Sequence, residues 1–270
     1  KEPFDSAAKW LWNDSAVAMR PKNAPGDLEP YTLARASEAG WMWNIPLYHR
    51  AGTGYVYSSR YKSSEDAERE LRGYLGERAT DETSALHLKF TPGRYRRDWV
   101  GTCVAIGLAA NFIEPLESTT IFLIEYALGN LLTLLPDRDF EPARAKRYNR
   151  IVAQMFDEVR DFIALHFALA NRRDTPYWRD LAEASALPDS IAEHLEFFRA
   201  SLPLGERFRN FVFRERSYCC LLSGLGRLPA SPYPLLAHIG GDREADLAFA
   251  EMAARSSDLA ARLPGHPNYL

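Results

Sequence analysis

The sequence predicts an α/β protein, with a sheet-forming part over residues 1–115 and a mostly helical part over residues 116–270. Short apolar runs set apart by glycine and proline turns fill the first part. Beyond Pro115, apolar residues recur at helical spacing over long segments. The longest uncharged apolar stretch, residues 99–113, is shorter than the ~20 residues a membrane span needs, and Glu114, Glu117 and Glu125 interrupt the segment after it. At 270 residues, 46% hydrophobic and 26% charged, the chain is long enough to bury a large core, and both parts are expected to belong to one contiguous globular unit.

Residues 41–46 and 55–59 are predicted to be two strands of a hairpin, with Gly52 and Gly54 supplying the turn. Side chains alternate along a strand, so Trp41 and Trp43 point to one face and form a wall of two large rings. Residues 64–75, "SEDAERELRGYL", open on a capping serine and acidic residues, which marks a short helix. Residues 86–90 and 99–106 are predicted strands, the second so apolar that burial on both faces is expected. Residues 118–135 form an apolar helix stopped by "PDRD". In residues 141–168, Val152, Phe156, Val159, Ile163 and Phe167 line one helical face, read as a core stripe. Further helices are predicted at 189–202, 217–225 and 242–263.

The formal net charge of −3 offers no electrostatic case for nucleic acid or an anionic membrane as partner. Three cysteines, Cys103 and the adjacent Cys219 and Cys220, make no disulfide framework and fit a reducing, cytoplasmic setting. The opening "KEPFDSAAKW" has neither an initiator Met nor the layout of a secretory signal, so the chain is expected to begin inside something longer. There is no G-x-G-x-x-G after a strand, no P-loop and no histidine pair at zinc-ligand spacing, so no metal is expected. His166 and His194 are read as packed or surface histidines. Asp157, Glu158 and Asp161, beside Arg160, are read as a solvated, ion-paired face.

Residues 99–132 hold the one usable site. A strand ending at Gly107, a short loop, a proline and a helix beginning near Ser118 would aim the unpaired N–H groups of Thr119 and Thr120 beyond the strand end. The helix dipole favours an anion there: a halide, a phosphate or another oxyanion. Glu117 stands at the mouth of the same helix, either as a dipole-stabilising cap or as a carboxylate held for proton transfer.

"WMWNIP", containing Trp41, Trp43, Ile45 and Pro46, fits the W-x-W-x-I-P signature of the flavin-dependent halogenases. "GTGYVYSS", "WVGTCVAIG", "EPLEST", "MFDEVRDFI" and "DTPYW" come after it in the order found in the tryptophan halogenase family. The chain resembles the C-terminal part of that family from Lys1 to about Gly226, without its N-terminal FAD-binding segment. The resemblance implies the remainder of a flavin domain like that of FAD monooxygenases, with a helical, substrate-side part after it. It also implies that reduced FAD, dioxygen and chloride or bromide yield hypohalous acid, which crosses to a separate pocket and halogenates an aromatic ring. The reduced flavin would come from a flavin reductase, and the family leaves room for a homodimer. Carried over residue by residue, Glu117 polarises the electrophile or accepts the ring proton, and Thr119 and Thr120 bind halide. Leu108 and Ile121 touch FAD, Phe211 binds substrate, and the tryptophan wall keeps the organic substrate from the flavin.

Several positions depart from the family pattern. Thr120 stands where glycine is usual, which is expected to tighten or move the halide pocket. In "RFRNFVFRERSYCC", residues 207–220, only Phe211 keeps an expected aromatic. Val212 replaces a tryptophan, Arg207 a glutamate and Arg216 an asparagine. A site without a carboxylate for an ammonium should not prefer free tryptophan. An indole-like or phenolic arene is the expected substrate. An FAD-dependent aromatic hydroxylase and an inactive truncated fragment are the rival readings, and the isolated chain is expected to be inactive.

Overall fold

Five antiparallel strands make the central sheet of the computed structural model, in the order β3-β4-β5-β2-β6. They are β2 (Ser15–Met19), β3 (Leu33–Ser37), β4 (Gly40–Leu47), β5 (Arg50–Tyr57) and β6 (Leu86–Lys89). All residues are described except 24–27, 81, 137, 139–140, 185–186, 202–210, 232–240 and 266–270. Alternation sorts the side chains into two layers. Val17, Met19, Met42, Tyr55 and Tyr57 face the helix α1 (Ser64–Leu75) and meet its Ala67, Leu71 and Leu75. Ala16, Trp41 and Val56 face the opposite way, into a larger core built by the long helix α3 (Pro142–Ala168) and by α4 (Pro176–Ala184), α5 (Asp189–Phe198) and α6 (Glu215–Gly224). This core joins the sheet-forming and helical parts of the chain.

The hairpin forms, with a different turn. Leu47 pairs with Arg50, so Tyr48 and His49 are the turn, and Gly52 and Gly54 lie inside β5. Gly54 serves packing: a Cβ there would fall 2.1 Å from the ring of Trp43, whose indole crosses the glycine. Helix α1 is capped by Ser63, one residue earlier than expected; its hydroxyl accepts the Asp66 N–H at 3.1 Å.

Residues 99–106 do not form a doubly buried strand. They make a two-stranded ribbon, β8 (Trp99–Val100) with β9 (Cys103–Val104), turning over Gly101 at φ 59°. Only Trp99 is buried, with its ring against Tyr148 of α3. The side chain of Asn149 takes the place of a neighbouring strand: its Oδ1 accepts the Trp99 N–H at 2.8 Å and its Nδ2 donates to the Trp99 carbonyl at 2.9 Å. A small second sheet joins β1 (Phe4–Ser6), β7 (Gly93–Tyr95) and β10 (Asn111–Phe112). The apolar helix predicted from Ser118 is α2 (Thr120–Thr133), and the last described helix is α7 (Asp242–Arg262). Strands β2 and β3 and helix α4 carry no strong local signal and are absent from the sequence-based expectation. No described helix is long and apolar enough to cross a membrane.

Candidate functional site

The start of α2 is built from an unusual backbone. After β10, Glu114 and Pro115 lead into a single 3-10 turn, Leu116–Ser118, in which Glu117 (φ 68°) and Ser118 (φ 54°) are left-handed. Each such non-glycine residue costs about 1–2 kcal/mol, so the surroundings must hold the turn in place. The helix axis begins afresh at Thr120, with Thr119 as the preceding cap residue. The first N–H groups of α2 have no acceptor inside the helix.

Thr119 is 4% exposed, and its hydroxyl has no hydrogen-bond partner among the described residues. A buried hydroxyl without a partner costs about 1–3 kcal/mol, which makes the position a ready donor to an anion arriving at the helix start. Glu117, its side chain 37% exposed, reaches His166 of α3: Oε1 lies 3.1 Å from Nε2. The other ring nitrogen, Nδ1, is 2.9 Å from the Phe162 carbonyl, which only accepts, so Nδ1 carries a hydrogen. Nε2 is thus the nitrogen turned toward the Glu117 carboxyl, and the two side chains tie the turn to α3. Sequence spacing places His166 among packing residues and misses this pair. Spacing on α3 signals only which face is apolar, whereas the partner comes from another element.

Leu108 and Ile121, 74% and 71% exposed, are large apolar side chains on the surface. They share one side of α2: Leu108 follows Gly107 in a 3-10 turn packed on that helix, and a Cβ on Gly107 would meet Ile124 at 3.2 Å. Phe211 lies on a neighbouring stripe of the same helix, its ring 5.6 Å from Tyr126 and 6.4 Å from Phe122. It borders a cleft of about 820 Å³ that also touches Asn130, Arg147, Glu158 and Arg160. Val212 packs partly buried on the core and Arg216 is exposed, while Arg207 lies outside the described residues.

The acidic face of α3 is not a plain solvated one. Glu158 accepts the backbone N–H groups of Phe211, Val212 and Phe213 at 2.9, 2.6 and 3.3 Å, and so pins that segment to α3. Asp161 is buried, accepts from Ser190 at 2.5 Å and pairs with Arg160; burial pushes its carboxyl above the usual range. Only Asp157, paired with Arg160 at 2.8 Å, matches the expectation of an ion-paired exposed face.

Trp41 and Trp43 do share a face, with ring centroids 6.1 Å apart, Trp41 buried in the core and Trp43 packed against it. Ile45 and Pro46 are farther along β4, where it runs out to the surface. The Trp41 N–H donates to Glu114 at 2.8 Å and so links the wall to the segment leading into α2. The structure thus gathers Glu117, Thr119, Thr120, Leu108, Ile121 and Phe211 around one helix, with the tryptophans tied to its approach. Among the described residues no cluster of histidine, cysteine or carboxylate side chains could hold a metal ion.

A helix start with an unpartnered buried hydroxyl beside a carboxyl–imidazole pair, on an α/β scaffold, defines a class of site rather than a protein. Comparison with known proteins narrows it. The tryptophan halogenase family model matches residues 1–240. The chain is 41% identical, over 99% of its length and 52% of the relative's, to the 7-chloro-L-tryptophan 6-halogenase KtzR of Kutzneria sp. (strain 744). It is 39% identical to the tryptophan 7-halogenase RebH of Lentzea aerocolonigenes, over 100% of the chain and 54% of that protein. The crystal structure of the tryptophan 6-halogenase SttH from Streptomyces toxytricini superposes with a TM-score of 0.93 at 40% identity, covering 99% of this chain and 53% of that one. BrvH, a flavin-dependent halogenase from Brevundimonas sp. BAL3, gives 0.90 at 37% identity, covering 99% and 54%. The chain belongs to the tryptophan halogenase family and spans about half the length of the curated relatives it matches.

Proposed function

We propose that this chain is part of a flavin-dependent halogenase that places chlorine or bromine on an indole-like or phenolic ring. Family membership supports the reaction class, and the observation that carries the site is the unpartnered, buried hydroxyl of Thr119 at the start of α2. With the helix amides of Thr119 and Thr120 it supplies the donors that a halide at the helix start would accept. Reduced FAD, when bound, supplies with dioxygen the two-electron oxidation that turns halide into hypohalous acid. Leu108 and Ile121 are exposed apolar contacts suited to a flavin face. Residues 1–115 are the remainder of the flavin-side domain and residues 116–270 the substrate side.

Glu117 does the acid–base work on the ring. As the carbon–halogen bond forms, the halogen–oxygen bond breaks with its pair on oxygen, and the ring proton passes to the carboxylate. His166 holds Oε1, so the second oxygen receives that proton. Trp41 and Trp43 wall off the organic substrate, while Phe211 offers it a ring face beside Phe122 and Tyr126. Val212 and Arg216, standing where the family pattern has a tryptophan and an asparagine, support a substrate other than free tryptophan. On this reading the setting is the cytoplasm, a separate flavin reductase feeds the enzyme, and the family leaves room for a homodimer.

The test supplies the full-length protein with a flavin reductase, FAD and either chloride or bromide, and offers indole, a phenol and free tryptophan in parallel. Mass spectrometry should find halogenated indole or phenol, formed only when halide is present. Hydroxylated product independent of halide would overturn the reaction class. Efficient, single-position chlorination of free tryptophan would overturn the substrate assignment.

A further inference from the structure

Glu114 is fully buried, and the halogenation scheme above gives it no task. Its carboxyl is the meeting point of three elements. Oε1 accepts the indole N–H of Trp41 from β4 at 2.8 Å, and Oε2 accepts the Asn13 Nδ2 from the segment before β2 at 3.1 Å. Asn13 is fixed in turn, because its Oδ1 accepts the hydroxyl of Tyr177 from α4 at 3.0 Å. As placed, both oxygens of Glu114 accept and the carbonyl of Asn13 accepts from the tyrosine, and all four groups are buried, so a change at one must be answered by the next.

Three residues further along stands Glu117, in the left-handed pair that only its surroundings can hold. Between them Pro115 restricts the backbone, and the Ser118 N–H closes back on the Pro115 carbonyl at 3.0 Å. A fixed carboxyl at 114, a proline and one closing hydrogen bond form the N-terminal clamp of the turn.

We infer that Glu114 is a positioning residue that locks the left-handed turn against the tryptophan wall and so sets the aim of the Thr119 and Thr120 donors. The inference rests on the halide-site reading above for its functional meaning. On this view Trp41 has two tasks, one with its ring face and one with its N–H.

The test uses Glu114→Gln, Asn13→Asp and the double variant, each in the full chain. Glutamine fits the space but has one acceptor. Its carbonyl takes the Trp41 N–H, and its amide either confronts the Asn13 amide or turns Asn13 over, which leaves the hydrogen of the buried Tyr177 hydroxyl without its acceptor. In the double variant the introduced aspartate accepts both the glutamine amide and the Tyr177 hydroxyl, so the contacts are restored with donor and acceptor exchanged. Amide hydrogen exchange at Thr119 and Thr120 should quicken about tenfold in Glu114→Gln, while β5 is unchanged, and return to the parent rate in the double variant. In the halogenation assay the single variant should raise the KM for bromide about tenfold with the KM for the arene within about twofold, again with rescue. If Glu114→Gln does not fold, Trp41→Phe removes the donor together with part of a packed ring, and should quicken exchange at the same two amides more than in the adjoining core of α3. Unchanged exchange there, uniform loosening of sheet and helix, or absence of rescue would overturn the inference. A parent protein that fails to halogenate anything would defeat the functional reading instead, and the exchange data would still decide the role of Glu114.

Discussion

Glu117 and His166 meet at 3.1 Å, and that contact fixes what each residue does when it is replaced. If Glu117 accepts the ring proton as proposed, Glu117→Gln should lower kcat by about 10²–10⁴ with little change in the KM for halide. His166→Gln should cost less, about tenfold, since glutamine still donates to the carboxylate. Steady-state rates on the full-length enzyme check both. Thr119→Val separates binding from folding. With no anion bound, it deletes a buried hydroxyl that has no partner, so stability should hold or rise by up to about 1 kcal/mol, while the KM for halide rises. Melting curves with and without bromide read both effects. Glu117, Thr119 and Thr120 were legible in the sequence because a helix start announces itself locally. His166, Glu114 and Glu158 were not, since each draws its meaning from a residue on a distant element.

At the scale of elements, β4 and β5 show how a glycine can be misread. Two glycines near a hairpin suggest the turn, yet Gly54 lies in mid-strand because the Trp43 indole occupies the space of a side chain. Gly54→Ala should therefore lose about 1–3 kcal/mol to overpacking, seen as a lower denaturation midpoint with unchanged slope. Gly52→Ala, whose Cβ would meet nothing nearer than 3.8 Å, should cost far less. Long periodic helices such as α3 could be placed from their apolar spacing alone. Residues 99–106 could not, because an asparagine on α3 supplies the hydrogen bonds a strand neighbour would give. Strand β2, "SAVAM", reads weakly by itself and exists because β5 and β6 pair with it on both sides.

The whole molecule carries three described carboxyls, Glu114, Asp98 and Asp161, whose burial should shape its response to pH. Desolvation pushes Glu114 up from 4.5 to about 8, against the pull of its two N–H donors, and pushes Asp98 up from 3.8 to about 6. A carboxyl raised in this way binds its proton more tightly in the folded state. Its contribution is full below the ordinary value and is lost as pH rises through the folded one. The slope for Glu114 is at most about 1.4 kcal/mol per pH unit between 4.5 and about 8. Exposed carboxylates lowered by nearby arginines and serines, such as Glu2 and Asp66, act in the opposite sense but only at more acid pH. Thermal unfolding should therefore show a higher midpoint near pH 5.5 than near pH 8.5. A midpoint that rises steadily toward alkaline pH would contradict this assignment. The exposed Leu108, Ile121, Leu128 and Leu132 belong to the same scale, since this much apolar surface on one helix and its neighbouring turn invites self-association of the 270-residue chain at high concentration.

The left-handed backbone at position 117 also narrows the routes by which the proposed chemistry can evolve. Glycine, asparagine and aspartate are the side chains that tolerate such a conformation cheaply, and none of them is a glutamate. Aspartate keeps the charge but is one carbon short of His166, and the other two give up the carboxylate. Random mutagenesis at this codon should thus yield folded proteins that have lost turnover, and improved variants should arise in the pocket walls instead.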